Sequence, residues 1–153
     1  MNIEIKSDHI YRGKRTGKSN LIARQIYGAK FFNNKACFNS LIKLCISDID
    51  PKGYDALIPV NVRNSKYKLT TSLCKEIAVN LGLSYLDSLQ QHNSFCKPDV
   101  AGLSVLIFDD VIFTGKTMTT AITSCLLQKP KKITYFAISK SISFLKNSIK
   151  ITL

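Results

Sequence analysis

Apolar and polar positions follow two different periods along this chain, and the periods replace one another several times. "NIEI" near the start is short and alternating, as a strand at the edge of a sheet would be. "NLIARQIYGAKFF" and "KACFNSLIKLCI" take up helical spacing, and in the second Cys37, Leu41, Leu44 and Cys45 share one face. Pro51 and Gly53 in "PKGYD" punctuate the pattern, and the apolar run "ALIPV" after them suits a buried strand. "LTTSLCKEIAVNLG" is helical again, with Leu73, Ile77 and Leu81 on one face and Gly82 placed to stop it. "DSLQQHNSFCKPDVAG" is polar and irregular and reads as a long loop, a kind often functional in compact domains. Strand "SVLIFDD", helix "KTMTTAITSCLLQ", turn "KPKK" and strand "ITYFAIS" follow, and "NSIKITL" alternates like a last edge strand.

Uniformly apolar strands taking turns with helices predict an α/β fold, a parallel sheet with helices on both faces. The 153 residues carry no repeat, low-complexity tract or linker, so one domain over 1–153 is expected, with residues 1–35 as a basic N-terminal segment. No apolar run approaches the roughly 18–20 residues that span a bilayer. The opening "MNIEIKSDHIYRGKR" lacks the apolar centre of a signal peptide, and a cytoplasmic location is the expectation. Five cysteines, an odd number without a Cys-x-x-Cys, read as buried free thiols; with only His9 and His92 to join them, a metal site is disfavoured.

Charge changes the picture. The net charge of +12 is unevenly placed: no acid stands between Asp8 and Asp48, where Arg12, Lys14, Arg15, Lys18, Arg24, Lys30, Lys35 and Lys43 all occur. After Asp110 there are seven lysines and no acid. Such asymmetry fits an anionic partner, either a polyphosphate substrate or nucleic acid, and it fits a solvated basic surface as well.

The candidate chemistry lies in "VLIFDDVIFTGKTMTTA", residues 105–121. Two acids beside an apolar run cost solvation energy unless something uses them. In doubly wound sheets ligands bind outside the carboxyl ends of the strands, where Asp109 and Asp110 fall. Successive strand side chains point to opposite faces. For both acids to touch one ligand, the chain must therefore leave strand geometry at about Asp110. A helix starting near Gly115 would present its free amides and dipole to an anion. Gly115 permits close backbone approach, and Thr114 and Thr117 add hydroxyl donors. Acids for vicinal hydroxyls followed by a phosphate cradle describe a ribose 5-phosphate. Neither "GKRTGKS" at 13–19 nor the stretch around Lys116 has the glycine spacing of a nucleoside-triphosphate loop.

"VLIFDDVIFTGKT" resembles the phosphoribosyl-pyrophosphate (PRPP) motif of type I phosphoribosyltransferases: an apolar strand, two acids, then Thr-Gly-x-Thr. The resemblance implies a parallel-sheet, Rossmann-like core with a small or missing hood. It implies that Asp109 and Asp110 bind the ribose hydroxyls and act in catalysis, and that Thr114, Gly115, Lys116 and Thr117 hold the 5-phosphate. "DALIPVNVRNSKYK" is similar to the strand and loop that receive pyrophosphate, with Asn61, Arg63, Lys66 and Lys68 as its contacts, although a second proline found in competence-factor-like members is Asn61 here. Residues 88–101 fall where the family carries a flexible closing loop, with Lys97 its candidate contributor, and Lys140 falls where purine-salvage members hold a base-binding lysine. The implied chemistry is displacement of pyrophosphate at the ribose anomeric carbon, with Mg²⁺ bound alongside PRPP and a nucleobase as the usual acceptor.

The chain departs from that pattern at Phe113, where purine-salvage members carry an acid that exchanges a proton with the base. The hood that reads the base would have to come from residues 1–35 or from another subunit, which leaves room for a homodimer. The alternative expectation is a regulatory or effector subunit that binds PRPP or a nucleotide. Its basic faces would dock on nucleic acid or a nucleoprotein partner.

Overall fold

The structure is a computed structural model that describes residues 3–11, 20–61, 68–87, 89–90, 99–142 and 144. The stretch 13–19 and the final strand expected in "NSIKITL" lie outside the described residues. Two long parallel strands form the centre: β6 (Ser104–Ile112), which lies between β3 and β7, and β7 (Lys132–Ser141), in the order β1-β7-β6-β3-β4. Every residue of β6 is buried, the reason its sequence is apolar without alternation. β3 (Ala56–Asn61) runs parallel to β6, with Ala56 opposite Val105 and Pro59 opposite Phe108.

Helices cover both faces, as the alternation predicted. On one face lie α1 (Leu21–Phe32), α2 (Lys35–Asp48) and α3 (Leu69–Leu81), whose Ile26, Leu41 and Leu73 meet Leu106, Phe108 and Phe136 of the sheet. On the other, Met118 and Ile122 of α4 (Lys116–Leu126) meet Ile107, Ile133 and Tyr135. Gly82 ends α3 as expected, in the left-handed region at φ 66. Cys45, Cys74 and Cys125 are buried free thiols and Cys37 is a half-buried one. Among the described residues no helix is long and apolar enough to cross a membrane.

The edges differ from the sequence-based expectation. β1 (Ile3–Lys6) is the predicted edge strand, but the chain returns to the same edge as β2 (His9–Tyr11) without changing register along β7: Ile3 faces Ile133 and His9 faces Ser139. On the far side of β3 lie β4 (Ser84–Tyr85) and β5 (Leu89–Gln90), with one extra residue between their registers. Leu89 and Gln90 fall inside the stretch read as loop. Strands of two or three residues are too short to show a period; neighbouring ladders hold them in place.

β2 also fixes α1. Asn20 donates its side-chain amide to the Ile10 carbonyl and accepts the Ala23 N–H at 3.0 Å, so one residue caps the helix and ties it to the sheet edge. His9 pairs with Asp48 at the end of α2 at 2.9 Å. Gly28 lets α1 and α2 approach: a Cβ there would come within 2.7 Å of the Cys37 sulfur. Gly28→Ala is expected to lower stability by about 1 kcal/mol, because the contact is overfilled. Adding Cys37→Ala is expected to recover that loss, since the clash goes and alanine favours the helix; urea unfolding of both variants checks the order.

Candidate active site at the end of the central strands

β6 and β7 end side by side, with Ile112 opposite Lys140. Just before that end sit the two acids, Asp109 and Asp110, 8% and 7% exposed. Buried carboxylates need donors, and each of these four oxygens has one. Asp109 accepts the Asp110 N–H at 2.8 Å and the Tyr135 hydroxyl at 2.6 Å. Asp110 accepts the Val111 N–H at 2.8 Å and the Lys30 ammonium at 2.7 Å. Tyr135 reaches Asp109 on the α4 face of the sheet. Lys30 reaches Asp110 from the last turn of α1, on the opposite face.

The strand does not break at Asp110 as expected. It continues to Ile112, because β7 runs alongside to Ser141 and supplies ladder partners. The pairing nevertheless skips Asp110, and the side-chain alternation slips there. Leu106, Phe108 and Val111 belong to the three-helix core, Val105, Ile107 and Ile112 to the other. The bend comes at Phe113 to Gly115. Gly115 caps α4 in the left-handed region at φ 81, and Ser141 pins the bend by donating its hydroxyl to the Phe113 carbonyl at 2.7 Å. The first amides of α4 have no carbonyl one turn back, and its first turn carries no acid. Between them and the strand lies a cavity of ≈ 70 Å³ lined by Asp109, Thr114, Gly115, Thr117, Met118 and Tyr135, among others. That is room for several waters, or for a small oxyanion in their place.

The structure thus brings Asp109, Thr114, Gly115 and Thr117 around one cavity. Asp110 is not among its lining residues, and Lys116 opens α4 with an exposed side chain. Lys68 stands just before α3 and lines a second cavity of ≈ 340 Å³ with Ala29, Asn33, Lys35, Phe38 and Ser72. Asn61 ends β3, and Lys140 lies near the end of β7. Arg63, Lys66 and Lys97 lie outside the described residues. Sequence reading passed over Lys30, one cation among many and 80 residues from its acid. It also passed over Tyr135, one of three hydroxyl side chains in the strand "ITYFAIS". Tyr11, at the end of β2, packs edge-on against Phe113 with ring centroids 5.4 Å apart.

Burial, and then the charge of Asp110, push the Asp109 carboxyl up to about 7, although the Tyr135 hydroxyl and the Asp110 amide pull the other way. Burial, and next the charge of Asp109, push the Tyr135 phenol far up, so it stays neutral and donates. The Tyr11 phenol is raised by burial first and then by Asp110.

Sheet order, helix placement and the strand–bend–helix at the acids define a phosphoribosyltransferase fold of type I. By sequence, no family model and no curated protein matches the chain. By structure, the chain is similar to a purine phosphoribosyltransferase from Pyrococcus horikoshii (18% identity, TM-score 0.58, 76% of this chain and 80% of that one). It is similar to an adenine phosphoribosyltransferase of Giardia lamblia complexed with 9-deazaadenine (14%, 0.55, 71% and 81%). A third likeness is to adenine phosphoribosyltransferase from Saccharomyces cerevisiae, complexed with an imino-altritol bisphosphate and adenine (18%, 0.54, 75% and 74%). At these identities the likeness establishes the fold.

Asp109 makes stability depend on pH. An unfolded aspartate loses its proton near 3.8, whereas the folded one keeps it to about 7. Its contribution is therefore full below pH 3.8 and is lost as pH rises through 7. Asp109→Asn removes that dependence: without ligand, its stability relative to the parent is expected to rise between pH 5 and pH 8 by on the order of 2 kcal/mol. Urea unfolding of both proteins at the two pH values measures it.

Proposed function

We propose that the chain is a phosphoribosyltransferase-like enzyme that uses PRPP with Mg²⁺ and displaces pyrophosphate at the ribose anomeric carbon, with a nucleobase as acceptor. One observation carries this reading: a buried acid and a glycine-capped helix N-terminus share one cavity at the carboxyl end of a central parallel strand. The cavity suits the 5-phosphate, held by the bend from Thr114 to Thr117. Asp109 and Asp110 would take the ribose hydroxyls and shield the positive charge that grows on the sugar ring. Lys68, with Asn61, Arg63 and Lys66 on the connection that precedes it, would neutralise the departing pyrophosphate. Lys97 would belong to the segment that closes over the site, and Lys140 would lie on the acceptor side.

Among the described residues no group of three or more His, Cys, Asp and Glu could hold a metal ion. Each oxygen of the acid pair already accepts one protein donor, so a divalent ion here would draw most of its ligands from PRPP itself. Bound there beside Asp109 and Asp110, Mg²⁺ would supply charge neutralisation for the leaving group. The protein's own part is positioning and a fixed field, with little covalent work.

A second reading is favoured by position 113, where the half-exposed Phe113 can exchange no proton with a base. It is a PRPP- or nucleotide-binding regulatory subunit that docks through basic surfaces on nucleic acid or a nucleoprotein partner. Pyrophosphate release from PRPP and Mg²⁺, measured over a panel of bases and with water alone, separates the two. The enzyme reading expects release that falls by on the order of a hundredfold or more in Asp109→Asn and Asp110→Asn. No release, together with salt-dependent binding to DNA or RNA, would replace it with the second reading.

A further inference from the structure

The four donors on the acid pair are not equivalent. Two are amides of β6 itself, and the third is the hydroxyl of Tyr135, a ring with no exposed surface. None of these leaves without moving the sheet. The fourth, the Lys30 ammonium, stands on a flexible four-carbon stem, and its side chain is 30% exposed. Any ligand hydroxyl that takes the outer oxygen of Asp110 therefore competes with Lys30.

We propose that Lys30 is a specificity-determining residue: its ammonium holds Asp110 in the empty protein and passes to the anionic group on the ligand's anomeric carbon when a ribose phosphate enters. This rests on the phosphoribosyl reading of the site. The exchange is a matter of charge. A ligand that offers Asp110 only neutral hydroxyls breaks a short charge-assisted hydrogen bond and returns less. A ligand with an anion beside its diol gives the ammonium a new partner, so the ion pair is exchanged rather than lost. Lys30 thereby discriminates against sugars that lack the anomeric pyrophosphate, by making their binding costly.

The surroundings support the exchange. Lys30 lies in the last turn of α1, where the helix dipole favours a cation whichever partner it has. Ala29, its neighbour in the chain, lines the ≈ 340 Å³ cavity that also carries Lys35 and Lys68. A displaced ammonium thus stays at the end of α1 whose Ala29 shares a cavity with two further cations. Asn20 and the Gly28 contact with Cys37 hold α1 in place, so Lys30 acts by side-chain movement on a fixed helix.

Calorimetric binding of PRPP and of ribose 5-phosphate, each with Mg²⁺, to the parent protein, Lys30→Met, Lys30→Arg and Asp110→Asn tests this. The parent is expected to prefer PRPP. Lys30→Met is expected to bind PRPP on the order of tenfold more weakly while keeping or improving its affinity for ribose 5-phosphate, so that the preference collapses. Lys30→Arg, which keeps the charge, is expected to retain the preference, and its unfolding midpoint guards against loss of fold. PRPP binding by the parent and by Lys30→Met with an unchanged preference would overturn the proposal and leave the phosphoribosyl reading intact. Weakening of both ligands by the same factor in Lys30→Met would also overturn it. Failure of the parent to bind PRPP at all would remove that reading, and the proposal with it.

Discussion

Two carboxylates sit next to each other in a strand whose side chains are buried along its whole length. Placed there without partners, they would cost more than a small domain can spare. Their neighbourhood answers that cost. The backbone amides of Asp110 and Val111 turn toward the acids, the phenol of Tyr135 meets Asp109 from below, and Lys30 reaches Asp110 from above. Four donors on four oxygens make the pair tolerable, while burial and the charge of Asp110 still push the Asp109 carboxyl up.

The fold supplies these partners from distant parts of the chain. β7 brings Tyr135 beneath the strand end and keeps β6 paired in one register to Ile112, past the skip at Asp110. α1, fastened to the sheet edge by Asn20 and seated on α2 through Gly28, brings Lys30 over the opposite face. α4 starts where the bend ends, and its first turn lines the cavity beside Asp109. Both faces of the sheet thus contribute to one end of it. The two acids accordingly have different neighbours, one beside an anion-sized cavity and one beside a cation.

Much of this was legible along the chain. Long periodic segments were read correctly as α1, α2, α3 and α4, and the apolar runs as β3, β6 and β7, since each is long enough to show its period. Gly82 and Gly115 were read as a helix end and a helix start, because a positive φ is a local demand that glycine answers. The motif at 105–117 was local too: strand, acids, bend and helix are contiguous, and their order in the sequence is their order in space. The short strands β2, β4 and β5 were not legible, because two or three residues carry no period and depend on a neighbour's ladder.

The sequence by itself determined the layered α/β architecture, the place of the acids at a strand's carboxyl end and the glycine-capped bend behind them. All of these rest on interactions between residues a few positions apart. Only the tertiary structure decided which partners the acids have, Tyr135 for Asp109 and Lys30 for Asp110. It also decided that the strand runs two residues past them. Those outcomes depend on Lys30, Tyr135 and the length of β7, which meet the acids through folding alone and leave no pattern along the chain.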